Sequence, residues 1–316
     1  MSAGLDALIP FIKPLESLLI DPDVSDVMVN GDGSIHFERA GRLTTGNSKY
    51  PSGELAAAVK RIARIMGRDV NEMQPLLVTR LGDGSRVAIV GEPCSVGGAS
   101  LAIRKFVFKP RSVDELVDNE TLSQSHATML IDAMKRRDSI LICGQTSAGK
   151  STLLNALTAY IPPEERIIVI EEVHELTLNR ANVVYLETRM KTDDQKAVTV
   201  SELLREALWM RPDRIIVGEV RGAEAFDLLQ ALNTGHQGSL ATIHANSPRM
   251  ALDRLRSCVA MAGVDLAPRT FAGMIADVIG LVVQMERRGA KRVVTGIVRV
   301  EGFDPMNDSY RLEEMV

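Results

Sequence analysis

Eight consecutive residues near the middle of the chain have the composition of a phosphate-binding loop. The pattern G-x-x-x-x-G-K-[ST] is matched by Gly144-Gln145-Thr146-Ser147-Ala148-Gly149-Lys150-Ser151. In this pattern backbone N–H groups turn toward a phosphate, the lysine reaches the β- and γ-phosphate oxygens, and the hydroxyl coordinates Mg²⁺. An apolar stretch at 140–143 leads into the segment, and the helix expected from Thr152 to Tyr160 starts directly after it. We therefore predict that residues 144–152 bind ATP with Mg²⁺, with Lys150 on the phosphates and Ser151 on the metal.

Hydrolysis of a bound nucleotide also needs carboxylates near the metal and the attacking water, and two apolar stretches end in such residues. The stretch 215–217 is followed by Gly218 and Glu219, which predicts that Glu219 holds the Mg²⁺ shell or orients water. The stretch 167–170 ends in Glu171 and Glu172. Because neighbouring side chains point in opposite directions along a strand, at most one of this pair is expected to face the phosphates. Either one is a candidate to polarise the attacking water.

Two histidines flank a further apolar stretch, at residues 240–243. His236 and His244 do not have the spacing that would place them on one helical face, so a zinc pair is not expected. Each lies at an end of a predicted strand, and we expect both at sheet edges, where a side chain can sense the γ-phosphate. A purely structural role is the alternative for each.

Length, charge and composition restrict the possible functions. The chain has 316 residues, a net charge of −4, 45% hydrophobic residues and 4% aromatic residues. Its length favours two domains. The negative charge and the scarcity of aromatic side chains argue against direct nucleic-acid binding.

The cysteines and the apolar segments indicate the cellular compartment. Cys94, Cys143 and Cys258 are far apart and form no CxxC pair, which favours a reducing compartment over a disulfide framework or a zinc site. The segment Met1–Pro14 has no basic start typical of a secretory signal, and no stretch approaches the roughly 20 apolar residues of a membrane span. We expect a cytoplasmic protein whose membrane contact is peripheral or made through a partner.

The pattern of elements changes along the chain. Hairpin signals and one amphipathic helix predict a smaller α+β domain at residues 1–108. Residues 109–120 are predicted to be a linker that ends in a helix start. From residue 121 onward, short apolar strands alternate with helices, which is typical of a mostly parallel sheet covered by helices. The predicted fold is therefore α/β, with a RecA-like P-loop NTPase domain at 121–316.

The order of these motifs resembles that of the secretion superfamily of traffic ATPases, which power type II secretion, type IV pili and type IV secretion. The likeness is greatest to the type IV secretion and conjugative-transfer branch. It rests on the phosphate loop, the Glu171-Glu172 pair, the segment 211–222 (RPDRIIVGEVRG) and the segment 233–247 (NTGHQGSLATIHANS). These motifs cover residues 139–250 densely, and the N-terminal part matches more weakly.

The resemblance implies particular roles for several residues. Glu171 and Glu172 stand at the family's acidic box, where the resemblance favours Glu171 over Glu172 as the general base, and Glu219 stands at its Walker-B glutamate. His236 and His244 stand in its histidine box, and Arg221 resembles a position near subunit contacts. In the N-terminal domain, Arg86 and Arg104 stand where family members have arginines that close onto the γ-phosphate.

The resemblance also implies an assembly and a location. Family members are homo-hexameric rings that hold nucleotide between their two domains. They work with inner-membrane components of a secretion or pilus channel, at the cytoplasmic face of that membrane. This chain departs from the usual pattern in having Glu172 where the acidic box usually has aspartate and Trp209 where an arginine is often found. It lacks the tetracysteine zinc module of the type II branch.

Two other functions are compatible with a phosphate loop. One is a nucleic-acid translocating P-loop motor, which ATPase stimulation by single-stranded DNA would favour. The other is a non-hydrolysing scaffold that binds nucleotide as a switch, which multiple-turnover phosphate release would exclude. The basic cluster of Arg287, Arg288, Lys291 and Arg292 is interpreted as a solvated hairpin tip, with contact to acidic lipid or a channel partner as the alternative.

Overall fold

The protein consists of two compact units, Met1–Lys109 and Pro110–Val316. The computed structural model describes residues 4–51, 53–106, 111–189 and 196–315. Among these described residues, no helix is long and apolar enough to cross a membrane.

The first unit contains one antiparallel sheet with helical segments on one of its faces. The helices are α1 (Glu16–Ile20) and α2 (Glu54–Ile65), preceded by short 3₁₀ turns at Leu5–Ala7, Ile9–Phe11 and Lys13–Leu15. The strands are β1 (Val24–Val29), β2 (Ser34–Arg39), β3 (Arg42–Lys49), β4 (Leu76–Arg80), β5 (Arg86–Val90) and β6 (Ser100–Arg104). Their order in the sheet is β3-β2-β1-β6-β5-β4. Buried residues alternate with more exposed ones along β5 and β6, as expected when one face packs on a core and the other does not.

The second unit contains one large sheet covered on both faces. Its helices are α3 (Val113–Asp118), α4 (Gln124–Arg136), α5 (Lys150–Leu157), α6 (Val200–Leu208), α7 (Glu224–Asn233), α8 (Pro248–Ala260) and α9 (Pro268–Val278). Its strands are β7 (Ile140–Gly144), β8 (Ile167–Glu171), β9 (Val183–Glu187), β10 (Arg214–Val220), β11 (Leu240–Ile243), β12 (Leu281–Arg288), β13 (Lys291–Asp304) and β14 (Ser309–Met315). The sheet order is β14-β13-β12-β7-β11-β10-β8-β9. Neighbours from β12 to β9 are parallel, and β13 and β14 pair antiparallel.

The central strands are apolar throughout because both of their faces are buried. All residues of β7, β8 and β11 are buried. One hydrophobic core packs the sheet against α6 to α9, and the other packs it against α3 to α5. The α/β fold class predicted from the sequence is confirmed.

Part of the predicted linker belongs to the second unit. Ser112 caps α3 in a reciprocal capping box with Glu115, and the helix buries Val113 and Leu116 in the core beside α4 and α5. Residues 109–110 lie outside the described part of the chain. Residues 113–118 of the predicted linker therefore form a helix whose apolar face covers the sheet of the second unit, after the helix start expected at Ser112.

The edges of the sheet were harder to predict than its centre. The C-terminal hairpin is present as β12 and β13, and the sequence did not predict that β14 would follow it. The strand β9 was also missed, because it is a short edge strand whose residues are half-buried or exposed. Such a strand lacks the continuous apolar signal of its buried neighbours.

A buried ion pair stabilises the amino-terminal edge of this sheet. Arg214 is fully buried and bonds Glu165, and it also donates to the carbonyl oxygens of Met134 (3.0 Å) and Gly238 (3.1 Å). A β-carbon on Gly238 would lie 2.8 Å from a terminal nitrogen of Arg214. The guanidinium therefore ties β10 to the turn before β11 and to the end of α4.

Candidate active site

The carboxyl ends of four parallel strands meet at one edge of the second unit's sheet. The register pairs Cys143 of β7 with Ile243 of β11, and Val217 of β10 with Ile170 of β8. Residues that follow these strands are therefore brought to the same edge. Neighbouring strands lie about 4.8 Å apart, so the phosphate loop after β7 and the end of β10 are separated by about 10 Å. That span suits a nucleotide triphosphate lying across the edge.

Backbone conformations that few residues adopt shape the loop between β7 and α5. Gly144 has φ +155°, and a β-carbon there would lie 2.4 Å from the carbonyl oxygen of Met285. Gly149 caps α5 with φ +96°, and Ser147 also has positive φ, at +60°. The two glycines are required because a side chain at either position would be strained. The loop therefore turns back on itself and delivers the amino terminus of α5, where backbone N–H groups favour an anion.

Lys150 lies buried across this loop. Its ammonium group donates to the carbonyl oxygens of Gly144 (2.9 Å) and Gln145 (3.0 Å). Burial lowers the pKa of Lys150, and the nearby carboxylate of Glu219 opposes that shift. The lysine is thus held at the mouth of the phosphate loop.

Glu219 is the centre of a charged network at the end of β10. Arg221 bonds one of its oxygens at 2.8 Å, and Nε2 of His244 lies 2.8 Å from the other. Burial alone would raise the pKa of Glu219, but the hydrogen bond and charge of Arg221, with His244 and Lys150, hold it below its usual value. Glu219 is therefore an ionised carboxylate at neutral pH.

His244 is a neutral member of this network. Burial and the charge of Lys150 lower its pKa below the ordinary value, although Glu219 opposes the shift. Nε2 of His244 faces Oε1 of Glu219, a buried oxygen for which no hydrogen bond is found among the described residues.

The two adjacent glutamates after β8 diverge, as the alternation of side chains along a strand predicts. Glu172 is exposed and pairs with Arg221, which also bonds Glu219. Glu171 is buried, and its carboxylate accepts hydrogen bonds from the backbone N–H groups of Glu175 (3.1 Å) and Leu176 (3.2 Å). Arg221 therefore links Glu172 to Glu219, while Glu171 is bonded to the loop that follows β8.

The environment of Glu171 favours a proton on its carboxyl group. Burial raises its pKa to about 7, although the hydrogen bonds from Glu175 and Leu176 oppose that shift. A β-carbon on Gly218 would lie 2.8 Å from Cγ of Glu171, so the glycine before Glu219 makes room for this side chain. A carboxyl group with a pKa near neutrality is suited to general-base work.

His236 does not reach the phosphate loop within this chain. It precedes β11, whereas the loop follows β7, and the two strands are parallel. His236 therefore lies at the opposite edge of the sheet from Lys150. Its Nδ1 bonds the carbonyl oxygen of Ala231 at 2.9 Å, at the end of α7. The expectation that both histidines sense the γ-phosphate stays a prediction: His244 shares the edge with Lys150, and His236 lies at the opposite edge.

Two residues that contribute to this edge were not singled out from the sequence. Thr242 donates from its hydroxyl to the carbonyl oxygen of Gly218 at 2.6 Å, and His174 contacts Glu171 at 3.2 Å. A hydroxyl within the otherwise apolar strand β11 was a usable signal for Thr242. The sequence held no such signal for His174, because its role depends on how the loop after β8 turns back.

The basic hairpin tip is partly anchored to the phosphate loop. Arg292 Nε donates to the carbonyl oxygen of Ser147 at 3.4 Å, and the stem of Arg292 packs beside Gly149. Lys291 pairs with Glu120, and Arg288 pairs with Glu286. Arg292 is therefore a neighbour of the candidate nucleotide site and not part of a wholly solvated tip.

Arg86 and Arg104 lie in the first unit, directly opposite each other on β5 and β6. Arg80 on β4 lies opposite Arg86 in the same way, and Arg104 bonds Asp26 at 2.7 Å. Directly opposed residues share one face of a sheet. The three arginines therefore lie in one row across that face, and Asp26 on β1 continues the row beside Arg104.

Together, the fold and this edge define a P-loop nucleotide-binding protein. The chain belongs to the family described as type II/IV secretion system proteins, whose model matches residues 12–295. The resemblance to secretion traffic ATPases of the type IV branch is therefore confirmed.

Individual relatives support the same placement. The type IV secretion system protein PtlH of Bordetella pertussis is 38% identical, over 92% of this chain and 95% of that protein. The conjugal transfer protein TrbB of Rhizobium radiobacter is 30% identical, over 93% of this chain and 88% of that protein.

Among solved structures, the VirB11 ATPase of the Brucella suis type IV secretion system, in complex with sulphate, is 28% identical with a TM-score of 0.50. That alignment covers 93% of this chain and 97% of the other. The ATPase DotB of Yersinia pseudotuberculosis has a TM-score of 0.66 at 18% identity, over 95% of this chain and 81% of that one, and supports the fold alone.

Proposed function

We propose that this chain hydrolyses ATP and that the hydrolysis drives a motor of a type IV secretion or conjugative-transfer system. The observation that carries the proposal is the network at one sheet edge, where Lys150 in the phosphate loop and Arg221 with His244 surround the ionised Glu219. The relatives named above act in secretion and conjugal transfer, which supports the cellular role. Those names do not favour the nucleic-acid translocating alternative.

The residues present fit ATP with Mg²⁺. Gly144 and Gly149 leave open the backbone of the phosphate loop, where a side chain at either position would be crowded. The amino terminus of α5 faces this loop and favours a bound anion. Mg²⁺ prefers oxygen ligands, and Ser151 would supply a hydroxyl while Glu219 supplies an ionised carboxylate. The bound metal would offset negative charge on the phosphates.

Each side chain has a distinct task in this proposal. Lys150 exchanges its two loop carbonyl partners for phosphate oxygens. Glu171 takes the proton of the attacking water, for which a pKa near neutrality is well matched. Arg221 keeps Glu172 and Glu219 in a fixed relation, and His244 senses the state of the nucleotide through Glu219.

The family resemblance supports a proposal about the larger assembly. We propose a homo-hexamer at the cytoplasmic face of the inner membrane, in contact with channel components of the system and only peripherally with lipid. In it, Arg86 and Arg104 would close on the γ-phosphate, for which the opposed arginines on β5 and β6 supply concentrated charge. Opening and closing of the units around the ring would couple hydrolysis to work.

The test is the substitution Lys150→Ala, with Lys135→Ala as the matched control. Lys135 is an exposed lysine on α4 that pairs with Asp132. We expect Lys150→Ala to abolish multiple-turnover phosphate release and Lys135→Ala to retain it. Normal hydrolysis by Lys150→Ala would show that the phosphate loop is not the site. Negative-stain imaging with and without ATP tests the ring, and stimulation by single-stranded DNA would instead support the nucleic-acid motor.

A further inference from the structure

We propose that His174 is a positioning residue for Glu171 and sets the direction in which its carboxylate faces the attacking water. This inference rests on the proposed function, in which Glu171 is the general base. His174 is not part of the phosphate loop, the acidic pair or the histidine-rich segment on which the family resemblance rests.

The carboxylate of Glu171 contacts two kinds of groups, backbone N–H groups and one side chain. Its Oε1 accepts from the backbone N–H groups of Glu175 and Leu176, at 3.1 and 3.2 Å. Its Oε2 lies 3.2 Å from Nδ1 of His174 and also 3.2 Å from the Leu176 nitrogen. The backbone donors follow the course of the loop, whereas Nδ1 of His174 donates to Oε2 only in the ring form that carries its proton there. A proton on Nδ1 therefore stabilises one rotamer of the ionised carboxylate.

The imidazole ring is itself held in place by contacts on its other side. It packs edge-to-face against Tyr185 of β9, with ring centroids 4.7 Å apart and an interplanar angle of 63°. The hydroxyl of Tyr185 accepts from the backbone N–H of Leu178 at 2.8 Å. The ring is thus held between the end of β8 and the edge strand β9, so its bond to Glu171 has a defined direction.

The loop that carries His174 is also tied to the helix that follows the phosphate loop. The backbone N–H of Thr177 donates to the side-chain oxygen of Asn155 on α5 at 3.2 Å. Leu176 and Leu178 are buried in the same core as Leu153 and Leu154 of α5. His174 therefore belongs to a loop that is fixed relative to the candidate phosphate site, which is what a positioning residue requires.

Two substitutions separate the hydrogen bond from the ring packing. His174→Asn places an amide nitrogen close to the position of Nδ1 but removes the ring. His174→Phe keeps an aromatic ring against Tyr185 but removes the nitrogen. Thr177→Ala is the matched control, because Thr177 lies in the same loop, its side chain is exposed, and its backbone N–H bond to Asn155 remains.

The experiment is steady-state ATP hydrolysis by the full chain, with thermal unfolding of each variant measured alongside. We expect His174→Phe to lower kcat about tenfold with KM for ATP unchanged, since one hydrogen bond to a charged group is lost. We expect kcat of His174→Asn to stay within about threefold of kcat of the unchanged protein, and kcat of Thr177→Ala to equal that of the unchanged protein. Unchanged kcat in His174→Phe would overturn the proposal. Equal losses in the Asn and Phe variants would also overturn it, because ring packing alone would then explain them.

Failure of this inference is distinguishable from failure of the proposed function. Glu171→Gln is expected to abolish turnover and to retain nucleotide binding. If Glu171→Gln hydrolyses ATP normally, the general-base assignment is wrong. If Glu171→Gln is inactive while His174→Phe is fully active, the positioning role alone is wrong.

Discussion

The raised pKa of Glu171 predicts that this carboxylate destabilises the fold near neutral pH. The substitution Glu171→Gln keeps nearly the same volume but cannot ionise. Burial raises the pKa of Glu171 from 4.5 to about 7. Between these two values the folded state holds a proton that the unfolded chain has released. The free energy of unfolding therefore falls as pH rises through this window, and the loss is complete above about pH 7.

The magnitude follows from the same two values. The difference between 4.5 and about 7 corresponds to about 3 kcal/mol of unfolding free energy, at 1.36 kcal/mol per pH unit. In a unit of roughly 200 residues, about 3 kcal/mol shifts Tm by about 6–12 °C. Glutamine also loses part of the bonding to the two backbone N–H groups, which lowers the stability of the variant by a similar amount at every pH. The prediction therefore concerns how Tm changes with pH, and not the absolute stability of either protein.

The assay is differential scanning calorimetry of the unchanged protein and of Glu171→Gln between pH 5 and pH 8. We expect Tm of the unchanged protein to fall relative to the variant by about 5–10 °C over this range, because part of the loss occurs below pH 5. Glu172→Gln is the control, because Glu172 is exposed and pairs with Arg221. Parallel Tm curves for the unchanged protein and Glu171→Gln would refute the reasoning, since the other titrating groups are common to both.

Two further predictions concern stability. Thr242→Val should lower the free energy of unfolding by about 1–3 kcal/mol and reduce kcat, because the carbonyl of Gly218 loses its bond beside Glu219. Thr242→Ser keeps the hydroxyl, so it should retain most of the unfolding free energy in denaturant titration and most of kcat in ATPase assays. Equal losses in Thr242→Val and Thr242→Ser would contradict the role of the hydrogen bond. Arg214→Met should destabilise by about 3–5 kcal/mol, because Glu165 keeps only its partly exposed partner Arg137 and two buried carbonyl oxygens lose their donor. Adding Glu165→Leu should restore part of that loss, and a purely additive double variant would exclude the ion pair as the cause.

Much of the fold could be predicted from local patterns. The apolar runs of β7, β8, β10 and β11 predict strands buried on both faces. The loop after β7, with its glycines and lysine, predicts a phosphate site. These patterns involve only residues that are close in sequence, so they can be recognised before the fold is known. The edge strands β9 and β14 were missed because a half-exposed strand has a mixed pattern that tertiary pairing stabilises.

The arrangement of the site depended on contacts between distant segments. The sequence put Glu171 beside Glu172, and the tertiary structure decided that Glu171 turns into the pocket left by Gly218 while Glu172 reaches Arg221. The sequence placed His236 and His244 on either side of one strand. The direction of that strand relative to β7 decided that His244 shares the edge with Lys150 and His236 does not. Residue types and short-range spacing define which chemistry is available. Strand direction and the course of the loops decide which side chains meet. These two features are set by packing between parts of the chain that are far apart in sequence, so the sequence patterns do not show them.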